Sequence, residues 1–253
     1  MIPEDDRGLL LGDGLFETIL AEHGQPVRLE RHLDRLGRGC DVLGLEPPDR
    51  ATARSAVAAA LAGIGLAGRS VVRLTLTAGS GRGLERPPGA TPRLIAMASA
   101  ASSPLGPVSL AIVAIRRNET SPAARIKSLS YLDNVLARRQ ARALGAEEAV
   151  MLNTLGEVAC AAAANLFWIE KGRLCTPALA CGVLDGIKRA EVLAAAAAMG
   201  VETFEARAGL EALDEAEGVF LTNSLIGVRP AVRLDGRDLP VHPLAEALSS
   251  RCR

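Results

Sequence analysis

Lysine is almost absent from this chain of 253 residues. Lysine and arginine together number 29, but only Lys127, Lys171 and Lys188 are lysines. Arginine keeps its proton near neutral pH, so chemistry that needs a free amine is confined to very few positions. Lys171 lies in the predicted turn Glu170-Lys171-Gly172, where its side chain is expected to be solvated. This removes Lys171 as a catalytic candidate.

Aromatic residues and net charge are also scarce. Aromatics make up 2% of the chain, and 29 acidic residues balance the 29 basic ones. Nucleic-acid binding usually needs a basic surface, and binding of single strands also needs aromatic rings for base stacking. We therefore expect no nucleic-acid partner.

Cysteine and histidine show none of the spacings that signal a known site. The five cysteines are odd in number and form no CxxC pair, and the three histidines have no ligand or nucleophile pattern around them. A disulfide framework, a metal site and Ser-His-Asp chemistry are therefore not predicted.

Long apolar runs are missing as well. None approaches the ~20 residues that a membrane-spanning helix needs. The N-terminal sequence MIPEDDRG is acidic and lacks the apolar core of a signal peptide. We predict a cytoplasmic protein with no membrane contact.

Residues 124–144 place Lys127 directly before a predicted helix. From Tyr131 onward, Leu132, Val135 and Leu136 recur at helical spacing, and Gly145 is a plausible end. A lysine on the route into a core has a lowered pKa, because burial disfavours the charged amine, and such an amine can form a Schiff base with a carbonyl compound. By itself the pattern favours a surface lysine in a loop, since functional lysines with a perturbed pKa are a minority.

Three motifs together resemble a known family. They are Ile126-Lys127-Ser128-Leu129-Ser130-Tyr131-Leu132, Asn165-Leu166-Phe167-Trp168 and Gly186-Ile187-Lys188-Arg189. The chain is similar to the fold type IV pyridoxal phosphate (PLP) enzymes from Asp6 to Val232. That family contains branched-chain aminotransferases, D-amino acid aminotransferases and 4-amino-4-deoxychorismate lyase.

The resemblance implies a two-domain α+β fold of the D-amino acid aminotransferase type. The small domain is expected at residues 1–100, with helices at 27–43 and 51–66. The large domain, carrying the Schiff-base Lys127, is expected at 107–253, after a linker at 98–107. The cofactor would lie between the domains, and the protein would be a homodimer that acts on a small amino substrate.

The resemblance also assigns roles by position. Lys127 would hold PLP and then act as general base and acid at the substrate carbon. The other predicted cofactor-binding residues are Arg35, Tyr131, Cys160, Leu184, Gly186, Ile187, Asn223 and Ser224, and the predicted substrate-binding residues are Phe16, Arg82 and Leu225. Without the resemblance, Arg35 reads as a surface charge and Gly186 as an ordinary helix start.

The loop at residues 79–83, between strands predicted at 70–78 and 93–97, favours one activity. It resembles the glycine-rich stretch of the deoxychorismate lyases, in which Arg82 would meet a substrate carboxylate. A lyase that releases pyruvate from aminodeoxychorismate and leaves 4-aminobenzoate is therefore the first hypothesis. A branched-chain or D-amino acid aminotransferase is the second, and a binding protein on the same fold that has lost its chemistry is the third.

Cys160 departs from the family pattern. The family usually has a glutamate five residues before the asparagine of Asn165-Leu166-Phe167, where it keeps the pyridine nitrogen protonated. Glu157 lies three positions away, on the opposite face of a strand. Either Cys160 is a small filler beside an unprotonated ring nitrogen, which we favour because burial raises a thiol pKa, or it is a thiolate paired with a pyridinium.

Overall fold

The computed structural model describes residues 2–65, 68–102 and 106–252. The chain divides into two compact units. The first comprises residues 1–103 with Ile126–Ser130, and the second comprises residues 104–125 and 131–253. The predicted linker at 98–107 spans this division, and its residues 103–105 lie outside the described ranges.

The first unit is an antiparallel sheet with helices packed on it. Its strands follow the order β2-β1-β3-β4. In chain order its elements are α1 (Arg7–Leu11), β1 (Gly14–Glu22), β2 (Gln25–Pro26), α2 (Leu29–Leu43), α3 (Arg50–Ile64), β3 (Arg69–Thr77) and β4 (Arg93–Ala100). The predicted helices at 27–43 and 51–66 correspond to α2 and α3, although Leu66 lies outside the described residues.

Helix α2 owes its position to one apolar face. Leu33 and Leu36 are buried against the sheet together with Leu15 and Ile19 of β1. Full burial of such a side chain stabilises the fold by about 1.5–3 kcal/mol. The helix ends at Gly44, whose positive φ of 60° allows its N–H to turn back onto the last helical carbonyls.

Lys127 belongs to the first unit, whereas the sequence prediction put it in the C-terminal domain. The reason is backbone pairing along the free edge at the start of β1. The Phe16 N–H donates to the carbonyl of Lys127 at 2.9 Å, and the Leu129 N–H donates to the carbonyl of Gly14 at 3.0 Å. Local sequence around Lys127 does not reveal this pairing, because the partners lie more than a hundred residues apart.

The second unit is built on a large mixed sheet. Its strand order is β10-β9-β8-β11-β12-β5-β6-β7, with β13 beside β12. In chain order its elements are β5 (Val108–Ile112), α4 (Pro122–Arg125), α5 (Leu132–Ala143), β6 (Glu148–Leu152), β7 (Val158–Ala161), β8 (Asn165–Glu170), β9 (Arg173–Pro177), a 3₁₀ turn (Leu179–Cys181), α6 (Ile187–Ala198), β10 (Thr203–Ala206), α7 (Glu211–Asp214), β11 (Gly218–Asn223), β12 (Gly227–Leu234), β13 (Arg237–Asp238) and α8 (Pro243–Arg251).

Both parallel and antiparallel neighbours occur in this sheet. Strand β5 is parallel to β6 and to β12, and β10 is parallel to β9. Strand β8 pairs antiparallel with β9 and with β11. Together with the helices, this arrangement confirms the predicted α+β class. No helix in the described ranges is long and apolar enough to cross a membrane.

Helix α5 turns an unexpected face to the core. Its buried residues are Asn134, Ala137 and Ala141, while Leu132 is 68% exposed and Val135 is 59% exposed. The small alanines let the helix lie close to the sheet, and the Asn134 Nδ2 donates to the Ala162 carbonyl at 2.7 Å. The apolar spacing that predicts this helix therefore marks an exposed stripe.

Candidate active site

Lys127 and the ring of Phe16 lie against each other. The Lys127 Nζ is 4.3 Å from the ring centroid of Phe16, and the Cζ of Arg73 is 3.9 Å from the same centroid. An aromatic face attracts cations over distances of this size. Phe16, predicted to bind substrate, is itself buried. The ring thus holds the lysine amine and an arginine in one place.

The amine of Lys127 titrates close to neutral pH. Burial lowers its pKa from 10.5 to about 8, with Glu17 raising it and Arg35 and Arg73 lowering it further. An amine with such a pKa is present in appreciable part as the free base, which is the nucleophilic form. The predicted lowering of the pKa of Lys127 by burial is therefore confirmed.

Arg35, whose charge helps to lower the pKa of this lysine, is itself bound to a carboxylate. Its Nε and Nη2 donate to the two carboxylate oxygens of Glu17, at 2.8 and 2.5 Å. The Nδ1 of His32 lies 2.6 Å from the same carboxylate. Burial opposes ionisation of Glu17, but the charges and hydrogen bonds of Arg35 and His32 outweigh it and lower the pKa to about 2. Arg35 is thus buried, not a surface charge.

Arg82 is exposed on the glycine-rich loop, and other arginines anchor that loop. Asp13 accepts from the Nε of Arg7 at 2.9 Å and from two nitrogens of Arg86 at 2.6 and 3.0 Å. Arg7 also donates to the carbonyls of Gly83, Leu84 and Glu85. Asp13, which lies between Gly12 and Gly14, is therefore a structural anchor, and the role of Arg82 toward a substrate stays a prediction.

In the second unit, the N-terminus of α6 is a candidate site for an anion. Gly186 is its N-cap, and no side-chain hydrogen bond caps this end. The Nδ2 of Asn165 donates to the Leu184 carbonyl at 2.9 Å, and a Cβ on Gly186 would overlap the Oδ1 of the same asparagine. The first turn of a helix offers unpaired N–H groups and a positive dipole end, which suit a phosphate. Ile187 begins that turn.

Lys188 does not add a free positive charge at this helix start. Its Nζ donates to the Cys252 carbonyl at 2.6 Å and lies 2.9 Å from a carboxylate oxygen of Glu191. The side chain is buried. Lys188 instead ties α6 to the end of α8, at the C-terminus of a helix where a cation is favourable.

Replacing Gly186 by alanine should weaken cofactor binding at least about fivefold. The added methyl group must displace the Asn165 side chain, because the space is already filled. Overpacking of this kind costs about 1–3 kcal/mol. Gly63→Ala on α3 is the control, because a Cβ there meets nothing within 4 Å. Equilibrium dialysis against pyridoxal phosphate measures the effect, and equal affinities of the two variants would contradict the assignment.

The turn after β11 is organised by Asn223. Its Oδ1 accepts from the N–H groups of Leu225 and Ile226 at 2.8 and 2.9 Å, and its Nδ2 donates to the Ala163 carbonyl at 2.8 Å. Ser224 is partly exposed at the tip. The Leu225 N–H, predicted to bind substrate, thus already has an acceptor in the turn, and a ligand would have to share it.

Cys160 is buried on β7, opposite Met151 of β6. Burial raises the pKa of its thiol, with Arg117 lowering it and Glu148 raising it. Glu157 cannot replace the missing carboxylate, because it accepts from the Arg207 Nε at 2.7 Å and from the Asn153 Nδ2 at 2.6 Å. A neutral thiol at position 160 fits the filler interpretation.

Tyr131 is the N-cap residue of α5 and is partly exposed. Its role toward a cofactor stays a prediction.

The sequence analysis missed Arg73 and Glu17, whose charges act on the amine of Lys127. Arg73 is the one charged residue in the run 70–77 of β3, which is a detectable signal, whereas nothing in the run around Glu17 shows that it meets α2.

Comparison with known proteins gives a consistent match. Residues 14–234 match the family described as amino-transferase class IV. A putative branched-chain-amino-acid aminotransferase of Methanocaldococcus jannaschii is 32% identical, over 92% of this chain and 82% of its own. An aminodeoxychorismate lyase of Bacillus subtilis is 31% identical, over 91% of this chain and 80% of its own.

Solved structures agree with these relatives. A putative 4-amino-4-deoxychorismate lyase from Legionella pneumophila superposes with a TM-score of 0.92 at 31% identity, covering 98% of this chain and 92% of that one. A hypothetical aminotransferase from Mycobacterium tuberculosis, in a PLP-bound form, superposes with a TM-score of 0.88 at 25% identity, covering 100% of this chain and 92% of that one.

Proposed function

This chain belongs to the class IV aminotransferase family, and we propose that within it the protein is a 4-amino-4-deoxychorismate lyase. It is a PLP-dependent enzyme of the fold type IV group. Its substrate would be aminodeoxychorismate, and its products would be pyruvate and 4-aminobenzoate. The lyase and the aminotransferase relatives are similar to this chain to nearly the same degree. The choice between the two activities therefore rests on the residues of the candidate site.

The residues present fit the cofactor. Lys127 offers an amine of lowered pKa for its carbonyl, and the uncapped start of α6 at Gly186 and Ile187 offers N–H groups for its phosphate. When bound, PLP withdraws electrons from the carbon that bears the substrate amine. Arg35, Asn223 and Ser224 would add phosphate contacts, and Leu184 and Tyr131 would contact the cofactor.

Lys127 would act as the general base and general acid that removes and delivers a proton at the substrate carbon. A pKa of about 8 lies near the working pH, which is the range in which an amine serves both as general base and as general acid. Phe16 would hold the amine in place through its ring. These roles are shared by the lyase and the aminotransferase.

The observation that favours the lyase is the buried Cys160 with its raised pKa. A neutral thiol at this position would not hold a proton on the pyridine nitrogen as a carboxylate does, and the bound cofactor would then withdraw electrons less strongly. Transamination depends strongly on that sink. Loss of pyruvate with formation of an aromatic ring has its own driving force and depends on it less.

Arg73 and Arg82 would recognise the acidic substrate. Arg73 lies on the Phe16 ring beside the lysine amine, and Arg82 is exposed on the glycine-rich loop. Guanidinium groups bind carboxylates through paired hydrogen bonds. Aminodeoxychorismate carries more than one carboxylate, which suits a site with two arginines.

An aminotransferase is the second candidate function, favoured by the 32% identity to the Methanocaldococcus jannaschii protein. The experiment is to incubate the purified protein with aminodeoxychorismate, and separately with a panel of D- and L-amino acids plus pyruvate or 2-oxoglutarate. We expect 4-aminobenzoate in the first incubation. Rapid keto acid formation from ordinary amino acids without 4-aminobenzoate would reverse the order of the two candidates.

Cys160→Glu should raise transamination. A carboxylate hydrogen-bonded to the protonated ring nitrogen contributes about 1.5–3 kcal/mol, which corresponds to a rise of at least about tenfold. Cys160→Ala, the matched control, should behave like the parent protein in both half-reactions. If Cys160→Ala instead loses most of the activity, the thiol is a functional partner of the cofactor and the filler interpretation fails.

We also propose a homodimer and a cytoplasmic location. The exposed stripe of Leu132, Val135 and Leu136 on α5 supports the homodimer, because apolar side chains that are adjacent on a surface commonly mark an interface. Sedimentation velocity tests the assembly. A single monomeric species at the working concentration would contradict it.

A further inference from the structure

A single buried arginine holds the loop between β3 and β4. The guanidinium of Arg7 donates at 2.8 to 3.1 Å to three consecutive carbonyls of that loop, those of Gly83, Leu84 and Glu85. Its Nε donates to the carboxylate of Asp13 at 2.9 Å, and the residue is 2% exposed. A buried cation that lost such acceptors would be costly. The loop is therefore tied to Arg7.

Arg86 holds the other end of the same loop. Its Nε and Nη2 donate to the two carboxylate oxygens of Asp13 at 3.0 and 2.6 Å. Its Nη1 donates to the carbonyls of Leu43 and Gly44, at the end of α2, at 2.7 and 3.0 Å. Asp13 thus joins two arginines, one that precedes β1 in the chain and one that belongs to the loop.

The loop has little room to shift around these contacts. The Arg7 N–H donates to the Gly79 carbonyl at 2.8 Å, and the Gly81 N–H donates to the Asp5 carbonyl at 3.0 Å. A Cβ on Gly81 would lie 2.6 Å from the Cδ of Pro87 and 3.3 Å from the Cδ of Arg7. Both distances are shorter than the optimum of about 3.5–4.0 Å between carbon atoms, so the loop backbone is closely packed on Arg7.

The loop is held at the end of β1 that carries the candidate site. Asp13 directly precedes Gly14, whose carbonyl accepts from the Leu129 N–H at 3.0 Å. Further along β1, the Phe16 N–H donates to the Lys127 carbonyl at 2.9 Å, and the centroid of the Phe16 ring lies 4.3 Å from the lysine Nζ. The loop and the lysine segment are therefore fixed to the same few residues.

We propose that Arg7 is a positioning residue that holds this loop in one conformation before substrate arrives, and thereby fixes where Arg82 is presented. Arg82 is exposed and directly precedes Gly83, whose carbonyl is bound to Arg7. The inference rests on the proposed role of Arg82 toward a substrate carboxylate. Arg7 itself is buried and needs no contact with the substrate. A loop that is already ordered lowers the free energy that binding costs.

Digestion with trypsin tests the conformation of the loop directly. Trypsin cleaves after arginine and lysine but not before proline, and Arg86 precedes Pro87, so Arg82–Gly83 is the one tryptic bond in residues 79–90. The full chain is digested under native conditions, and mass spectrometry follows cleavage at this bond. Because proteolysis needs a locally unfolded segment, the bond should resist trypsin in the parent although Arg82 is exposed. Rapid cleavage of the folded parent there would overturn the proposal.

In Arg7→Gln, cleavage after Arg82 should be at least about tenfold faster, the effect of losing one hydrogen bond of a charged group. Cleavage after Lys171, in a turn of the other unit with a side chain 82% exposed, should be unchanged and is the internal reference. Arg50→Gln is the matched control, because Arg50 is an exposed arginine of the same unit that is paired with Glu30. Equal cleavage after Arg82 in Arg7→Gln and in the parent would overturn the proposal.

If Arg7→Gln does not fold, Arg7→Lys takes its place. Lysine keeps the charge beside Asp13, but its single nitrogen cannot span three carbonyls as the planar guanidinium does. Cleavage after Arg82 should again be faster than in the parent, and an equal rate would overturn the proposal.

Kinetics separate this positioning role from a general effect on stability. Arg7→Gln and Arg82→Gln should each raise KM for aminodeoxychorismate by about fivefold, the effect of one exposed ion pair, and leave kcat nearly unchanged. Because Arg7 acts through Arg82, the double variant should have the KM of Arg82→Gln alone, and a KM raised by the product of both effects would overturn the proposal. If no 4-aminobenzoate forms, the lyase assignment fails, and the same variants are compared on the dicarboxylate 2-oxoglutarate.

Discussion

Replacing Lys127 by alanine should abolish turnover and remove the visible absorption of the covalently bound cofactor. The amine of Lys127 lies 4.3 Å from the centroid of the Phe16 ring. Lys188 is tied to Glu191 and to the Cys252 carbonyl, and Lys171 is exposed in a turn. Loss of a residue that both holds the cofactor and transfers the proton should cost at least about a thousandfold in rate, since general acid–base catalysis alone contributes ~10²–10⁴-fold.

Lys171→Ala is the control for this change. It removes an exposed lysine of the same kind and should leave turnover and the absorption spectrum unaltered. Absorption spectroscopy and a single-turnover assay check both variants. An unchanged spectrum in Lys127→Ala would refute the assignment of the Schiff-base lysine.

Replacing Arg35 by alanine should both loosen the cofactor and destabilise the fold. The change removes one charge-assisted phosphate contact of about 1.5–3 kcal/mol. It also leaves Glu17 buried without its main partner, and breaking a buried pair in this way costs about 3–5 kcal/mol. At about 2–4 °C per kcal/mol for a chain of this size, the melting temperature should fall by roughly 10 °C.

The pH dependence of stability should change in the same variant. In the parent, the pKa of Glu17 is lowered to about 2 from 4.5, so its contribution to stability is present above pH 4.5 and is lost as the pH falls toward 2. Without Arg35 that pKa rises toward 4.5, so the loss of stability between pH 4.5 and 2 should be smaller in the variant than in the parent. Arg54→Ala, which breaks an exposed pair with Glu30, is the control.

Thermal melts across pH and dialysis of the loaded enzyme measure the two effects of Arg35→Ala. We expect cofactor retention to fall more than the rate of the fully loaded protein. A variant that stays as fully loaded and as stable as the parent would contradict both the phosphate contact and the burial of the pair.

Secondary structure with strong local periodicity could be predicted from the sequence. Leu33 and Leu36 recur at helical spacing and lie on the buried face of α2, and Gly44 ends that helix as a glycine with positive φ does. The C-terminal elements β12 and α8 were not predictable in this way. Pro230 interrupts the pattern of β12, and α8 is held mainly by the packing of Ala245 and Leu248 against other elements.

The spacing of apolar residues predicts a helix but does not say which face is buried. On α5 the alanines at 137 and 141 face the core, while Leu132 and Val135 are exposed. The distance between α5 and the strands β5 and β6 decides which face of the helix is buried, because small side chains permit a closer approach. A distance between a helix and a sheet is a property of the packed structure and has no local sequence signal.

The sequence by itself determined which residue types are available for chemistry. Only three lysines occur, so Lys127 could be singled out from its motif, and the family could be recognised from Asn165 and Gly186 with their neighbours. Tertiary structure alone decided that Lys127 joins the first unit and that Arg35 is paired with Glu17. The reason is that pairing along β1 and the burial of charge depend on residues far apart in the chain, and the cost of an unpaired buried charge selects their partners only once the chain has folded.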